Sequence, residues 1–342
     1  MGDQTLLERI LNREEEPNDL PLALLQSITN NFSQDRKIGQ GGFGEVYKGI
    51  LRSGIIVAVK RIYVNEQTID DKLFLREFIS LWKTNHQNII RFLGFCSNTH
   101  QTSIEDAGSE EINLANVRER WFCFEYISNG SLDKYITDEL RGYEWDTRYQ
   151  IIIGICKGLR YLHDEKDIVH MDLKPANILL DSTYKVPKIT DFGLSRSNKN
   201  THTVGLCFGT RGYLAQEYEN AGKTSFKSDI YSLGAIIIEL VTGCMDVPDK
   251  NNVLRRWRHR WNKAPTLLQY QQVIRCFEIA VRCRQKEPKD RPSVGTIISF
   301  LGKSESTDGH TSQVWLASLR YQSVEMDIPF VIKRDNFVAV IR

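Results

Sequence analysis

The sequence predicts an α+β protein of two lobes: a small antiparallel β-sheet lobe with one main helix, followed by a larger, mostly helical lobe. Three observations predict it. From Ile38 onward, K-I-G-Q-G-G-F-G-E-V-Y-K-G and I-I-V-A-V-K-R-I-Y-V read as strands bounded by glycine or polar residues. One helical-period stretch follows, D-K-L-F-L-R-E-F-I-S-L-W-K-T, with Leu73, Phe74, Phe78, Leu81 and Trp82 on one face. From Ser131 to Leu301 long helical patterns take over. The 342 residues, 41% apolar, are enough for a large two-lobed domain, with a cleft expected at the join.

Taken in order, residues 1–35 form an N-terminal segment. It carries an acidic run, Glu14 to Glu16, and then P-L-A-L-L-Q-S-I-T-N-N-F, a short helix ending near Thr29 or Asn30. The main domain runs from 36 to 303, with a small lobe over 36–124, a hinge at 125–128 and a large lobe over 129–303. Two further small-lobe strands are N-I-I-R-F-L-G-F-C and W-F-C-F-E-Y-I. The polar, acidic stretch between them, from Thr102 to Arg120, reads as a loop insertion without chemistry of its own. A tail over 304–342 begins with linker composition and ends in two apolar runs around K-R-D-N that can pair as a hairpin. No role is assigned to it.

Composition excludes several functions. Lys plus Arg number 45 against 43 Asp plus Glu, so no strong field steers the chain to nucleic acid or anionic lipid. The seven cysteines are odd in number and lack C-x-x-C spacing, which argues against a zinc ribbon or disulfide framework and for a reducing compartment. Apolar runs such as S-L-G-A-I-I-I-E-L-V fall short of the ~20 residues a membrane span needs. The start has no signal-peptide pattern, and Met1-Gly2 lacks the Ser or Thr at position 6 that myristoylation wants, where Leu6 stands. A soluble, cytoplasmic protein is expected. The basic aromatic run R-R-W-R-H-R-W at 255–261 reads as a solvated helix face with its tryptophans turned inward.

Gly39, Gly41 and Gly44 stand in G-x-G-x-x-G-x-V, a spacing shared with the dinucleotide fingerprint. A dinucleotide fold needs a helix after the last glycine; here a strand pattern follows, which opposes an oxidoreductase and puts the glycines in a hairpin. Such a tip lets backbone N–H groups approach phosphate oxygens. Lys60 ends the strand V-A-V-K, and Glu77 shares the apolar side of the next helix, so the two can pair. In V-H-M-D-L-K-P-A-N, Asp172 and Asn177 lie in a stretch where Pro175 prevents a continuous helix. Asp191 opens D-F-G after a strand-like K-V-P-K-I-T.

Jointly and in this order, these motifs resemble the protein kinase family over roughly residues 36–303. Within it the chain is similar to plant receptor-like serine/threonine kinases, on I-T-N-N-F, I-G-Q-G-G-F-G-E-V-Y-K-G, N-G-S-L-D-K-Y-I, G-L-R-Y-L-H and G-T-R-G-Y-L-A-Q-E-Y. The resemblance implies a two-lobed kinase fold and transfer of the γ-phosphate of Mg-ATP to protein hydroxyls. It implies that the hairpin of Ile38, Gly39, Gly41, Gly42 and Gly44 covers the ATP phosphates and that Lys60, fixed by Glu77, contacts the α and β phosphates. Asn177 and Asp191 would bind Mg2+ (or Mn2+), Asp172 would take the substrate proton, and Lys174 would sit near the γ-phosphate. Val46, Ala58 and Leu179 would enclose the adenine, Phe124 would be the gatekeeper, and Glu125, Tyr126 and Ile127 the hinge. Leu81, His170 and Phe192 would belong to an internal hydrophobic column, Asp229 would brace the catalytic loop, and Glu217 would pair with Arg291.

Two positions depart from the family pattern. Met171 replaces the arginine that would hold a phosphorylated activation segment by contacts worth about 1.5–3 kcal/mol each. The chain is thus of the non-RD type, similar to receptors of innate immune recognition. Gln216 replaces the proline of A-P-E, at a cost of roughly 0.4–1 kcal/mol. The implied partners are ATP, protein substrates and the chain itself, at Ser195, Ser197, Thr201, Thr203 or Thr210, with no nucleic acid. The inner face of the plasma membrane is implied only if the chain is part of a longer receptor. A pseudokinase scaffold that binds nucleotide or partners without turnover is the alternative, opposed by the presence of Lys60, Asp172, Asn177 and Asp191 together.

Overall fold

The computed structural model describes residues 2–42, 44–63, 69–82, 84–105, 112–136, 142–198, 209–245, 247, 249–260, 266–302, 330–332 and 339–341. They form two compact units, Met1–Ser128 with Thr190–Arg196, and Asn129–Ile189 with Ser197–Arg342.

The first unit opens with α1 (Gly2–Leu11), β1 (Asn18–Asp19) and α2 (Leu22–Ile28). Strands β2 (Lys37–Gly41), β3 (Gly44–Ile50) and β4 (Ile56–Ile62) follow, then α3 (Ile69–Leu81), β5 (Phe92–Glu105) and β6 (Ile112–Glu125). These strands make one sheet in the order β1-β5-β6-β4-β3-β2. The β1–β5 pair is parallel and the others are antiparallel. Strand alternation sorts the two faces. Val57, Val59, Trp121 and Cys123 join Leu7, Ile10, Leu20, Leu25 and Ile28 of the N-terminal segment in one buried cluster. Phe32 stacks on Trp121 with ring centroids 3.9 Å apart. The other face carries Phe122 and Phe124, and α3 lays Phe74 on Phe122 at 4.7 Å between centroids.

Helix α2 ends at Thr29 as the sequence predicts, whereas α1 and β1 go beyond it. Helix α1 depends on the apolar sheet face that receives Leu7 and Ile10, and β1, with both residues exposed, on the backbone edge of β5; local pattern reveals neither. A clear correction concerns the stretch from Thr102 to Arg120. It is not a loop: β5 and β6 continue as a ladder with Thr102 opposite Ala115 and Glu105 opposite Ile112. Its polar sequence hides this because two strands can satisfy each other's backbone groups without a buried face. The tip at 106–111 lies outside the described residues.

The second unit contains α4 (Asp133–Ile136), α5 (Trp145–Arg160), β7 (Ile168–Val169), β8 (Ile178–Leu180) and β9 (Pro187–Ile189). After β10 (Arg196–Ser197) come α6 (Gln216–Ala221), α7 (Phe226–Thr242), α8 (Lys250–Arg260), α9 (Leu267–Cys283) and α10 (Val294–Gly302). Helix α7 is its axis. Ser225 and Ser228 form a capping box at its start, Gly243 closes it in a left-handed conformation, and almost all of Ile230–Thr242 is buried. Packing of α7 on α9 needs Gly234, where an added Cβ would lie 2.7 Å from the Cys283 Cβ.

Trp257 of α8 is buried and donates Nε1–H to the Val241 carbonyl, while Arg255 and Arg256 are exposed, which is the predicted solvated face. Trp261 lies outside the described residues. Six of the seven cysteines are free thiols and Cys207 is outside the described residues. In the tail, β11 (Phe330–Ile332) and β12 (Ala339–Ile341) pair antiparallel, as the hairpin reading expects. No described helix is long and apolar enough to cross a membrane.

Candidate active site

In the first unit, Lys37–Gly41 and Gly44–Ile50 form the expected hairpin, with Gly41 opposite Gly44. Its glycines have different reasons to be glycine. A Cβ at Gly44 would lie 1.9 Å from the Arg61 carbonyl oxygen, so the sheet itself demands glycine there. A Cβ at Gly41 or Gly42 would meet nothing within 4 Å, and at Gly39 only Val46 at 3.8 Å. Nothing in the fold asks for bare backbone at the tip.

A network that sequence reading missed fastens the two hairpin strands. Lys37 Nζ donates to Glu45 at 2.7 Å and to Gln40 at 2.8 Å, and the Tyr47 hydroxyl donates to the other Glu45 oxygen at 2.6 Å. The bonds from Lys37 and Tyr47 hold the Glu45 carboxyl below its usual range. The only sequence signal was a lysine and a glutamate flanking the glycines.

Val46 faces Lys60 across the β3–β4 ladder, and Ala58 faces Phe124 across β4–β6. Period-2 alternation therefore places Val46, Ala58, Lys60 and Phe124 on one sheet face. Helix α3 presents Glu77 to that same face because it lies three residues after the buried Phe74. Lys60 Nζ is 2.8 and 3.0 Å from the Glu77 oxygens and 2.8 Å from Asp191 Oδ1. Burial pulls the Lys60 pKa down, but Asp191 and Glu77 more than offset it and hold the group above its ordinary value, a cation at neutral pH. Burial, aided by the Asp191 charge, pushes Glu77 upward against the pull of Lys60. Asp191 has φ +66°, a left-handed backbone, just before Gly193. Ile38 is half exposed, Phe124 is buried, and Glu125 and Ile127 close the unit's final stretch. Leu81 and Phe192 are also buried here.

In the second unit a polar cluster surrounds Asp172. Asp229 on α7, fully buried, accepts from the backbone N–H of His170 at 2.7 Å and of Met171 at 2.9 Å, and lies 2.8 Å from His163 Nε2. The loop is braced as predicted. Asp172 Oδ2 accepts from Lys174 Nζ at 2.7 Å and from Asn177 Nδ2 at 3.0 Å. Pro175 opens a single 3-10 turn, Pro175–Asn177, that sets this spacing. Leu179 sits on β8, and Met171 is buried with φ +71°.

Thr210, read from sequence as a phosphorylation candidate, instead completes the cluster. Its hydroxyl donates to Asp172 Oδ1 at 3.2 Å and accepts from Lys174 at 2.8 Å. Asp172 thus already accepts a hydrogen bond from an alcohol. Ser195 is buried, Ser197 donates to Asp167 at 2.7 Å, and Thr201 and Thr203 lie outside the described residues. Arg291, fully buried, meets the Glu217 carboxylate with both Nη atoms at 2.7 Å, as predicted. Gln216 starts α6 on an exposed position.

Each unit holds an oxygen donor of the kind a hard divalent cation takes. In the second, Asn177 spends its amide nitrogen on the Asp172 carbonyl and carboxylate, which leaves its oxygen to ligate, and in the first Asp191 carries a carboxylate. Among the described residues no group of three or more His, Cys, Asp and Glu side chains can hold a metal alone. Such an ion would need oxygens from a phosphate ligand, which is how Mg2+ commonly binds.

Comparison with known proteins agrees with this chemistry. The protein kinase domain family matches residues 32–300. A G-type lectin S-receptor-like serine/threonine-protein kinase of Arabidopsis thaliana is 37% identical over 324 residues, covering 87% of this chain and 36% of the relative. Two cysteine-rich receptor-like protein kinases of the same plant are each 35% identical, over 84% and 82% of this chain and 43% of each relative. The chain spans well under half the length of these curated relatives.

Proposed function

Because the chain belongs to the protein kinase family, whose members use ATP with a divalent metal, we propose that it is a serine/threonine kinase of the receptor-like type. It transfers the γ-phosphate of ATP, with Mg2+ as the metal, to protein hydroxyls. The observation that carries this reading is the state of the polar groups: Lys60 is paired with Glu77 and Asp191, and Asp172 is held by Lys174, Asn177 and Thr210. A pseudokinase scaffold is disfavoured, since none of these groups is substituted or diverted.

Each group has a task that its surroundings explain. The cationic Lys60, oriented by Glu77, binds the α and β phosphates, and Gly41 and Gly42 leave room for backbone N–H groups to approach them. Val46, Ala58, Phe124, Glu125 and Ile127 of the first unit, and Leu179 of the second, would contact the adenine. Asn177 and Asp191 would hold the divalent ion, which would offset phosphate charge when bound. Asp172 orients the substrate hydroxyl and takes its proton as the new P–O bond forms and the bond to ADP breaks. Lys174 balances the charge that builds on the transferred group.

Serine and threonine acceptors include the chain's own activation segment. Its place of action would be the inner face of the plasma membrane if the chain is part of a longer receptor, and the cytoplasm otherwise. The test is labelled phosphate transfer to a generic protein substrate by the purified chain beside Asp172→Asn and Lys60→Ala. Transfer by the wild type and a loss of about 10²-fold or more in each variant are expected; ATP uptake without turnover in the wild type would restore the scaffold reading.

A further inference from the structure

Arg91, just ahead of β5, belongs to none of the groups above, yet it joins two distant parts of the first unit. Its guanidinium donates to the carbonyl of Leu11 at 2.6 Å and to that of Ile10. These oxygens end α1, where the macrodipole is negative. A forked cation suits the two adjacent carbonyls, of which that of Ile10 also accepts from the Arg13 N–H at 3.1 Å. The main chain of the same residue is locked to Glu125. Arg91 N–H donates to Glu125 Oε1 at 2.8 Å, and Glu125 N–H donates to the Arg91 carbonyl at 3.0 Å.

Arg91 also lines a cavity of about 520 Å³ together with Ile10, Arg13, Trp82 and Thr84. Leu7 and Ile10 pack α1 on the sheet in the cluster that holds Leu93 and Cys123, and the Arg91 side chain adds a polar tie from the end of the helix to the residue whose main chain is bonded to Glu125.

We propose that Arg91 is a positioning residue for the adenine end of the nucleotide site, and that α1 is a working part of the kinase domain through it. When the guanidinium is lost, the end of α1 lifts and the Glu125 backbone loses its fixed position. The nucleotide half of this proposal rests on the kinase reading above; the mechanical half does not.

The test compares the 342-residue wild type, Arg91→Met and Arg91→Lys by amide hydrogen exchange and by ATP kinetics. In Arg91→Met, exchange rises roughly 10-fold or more at both 2–11 and 122–128, while Phe226–Thr242 stays protected and reports a folded chain. KM for ATP rises about 3- to 10-fold with kcat changed less than about twofold, and Arg91→Lys, with a charge but no fork, falls between. Faster exchange at α1 with an unchanged hinge overturns the link. A loosened hinge with an unchanged KM overturns the positioning role. Should the wild type itself fail to turn over ATP, the kinase reading falls while the exchange data still decide whether Arg91 couples α1 to Glu125; if Arg91→Met does not fold, Arg91→Lys carries the same comparison.

Discussion

Replacing glycines of the β2–β3 hairpin one at a time separates what the sheet needs from what the nucleotide needs. An alanine methyl at Gly44 starts 1.9 Å from the Arg61 carbonyl oxygen, so β3 and β4 must part by at least ~1 Å at the Gly44–Ile62 pair. Overpacking of that kind costs about 1–3 kcal/mol, and a lost ladder hydrogen bond adds about 1 kcal/mol. At Gly41 the same methyl meets nothing within 4 Å, and alanine restricts the unfolded chain, so stability should hold or rise by about 0.4–1 kcal/mol. The methyl does, however, occupy space through which phosphate must approach the backbone, and a misplacement near 1 Å can cost up to ~10²-fold in rate. Urea denaturation and ATP kinetics on Gly44→Ala and Gly41→Ala read out both. Gly44→Ala should lose stability, and Gly41→Ala should lose ATP affinity or rate at full stability. An ATP response of Gly41→Ala equal to the wild type would refute the reasoning that bare backbone at the tip serves the ligand.

Other tests follow from the remaining contacts. Arg291 is fully buried and donates to Glu217 and to the carbonyls of Lys227, Gln285 and Lys286, so Arg291→Met strands a carboxylate and should cost about 3–5 kcal/mol, visible as a lower Tm. A Tm within error of the wild type would show the pair to be dispensable. Thr210→Val removes a hydroxyl shared by Asp172 and Lys174 and should lower kcat more than it raises KM, whereas Thr210→Ser should keep most of the rate. Burial raises the Glu239 carboxyl against the pull of the Tyr213 hydroxyl and of Arg284. A folded-state pKa above the unfolded value of 4.5 favours the protonated fold, so this contribution is full below 4.5 and is lost as pH rises through the folded value. Relative to Glu239→Gln, the wild type should therefore lose stability as pH is raised from 4.5 toward neutrality; a parallel pH dependence in chemical denaturation would contradict the shift.

Much of this site was legible because its residues sit on short, strongly patterned elements. The hairpin followed from glycines between two strand patterns, and the Lys60–Glu77 pair from a strand lysine and a glutamate on the apolar side of a helix. The brace from Asp229 and the Glu217–Arg291 pair were implied only by the resemblance. Thr210 was quoted within G-T-R-G-Y, but its tie to Asp172 bridges 38 positions and has no local signature. The extended β5–β6 ladder was misread because polar residues in paired strands resemble those in loops when only the local sequence is read. Helix α1 was missed for a related reason: its leucines and isoleucine matter only against the sheet that receives them.

Residue order by itself determined the α+β class, the glycine hairpin, the strand of Lys60 and the helix of Glu77, because periodicity and side-chain chemistry are local properties; phosphoryl transfer was implied by the family resemblance those residues carry. Tertiary structure decided which groups meet: Lys60 with Asp191 across 131 positions, Thr210 with Asp172, and Arg91 with the end of α1. Those meetings depend on the register of strands and the packing of helices on them, and a buried charge settles only where partners from separate elements arrive together.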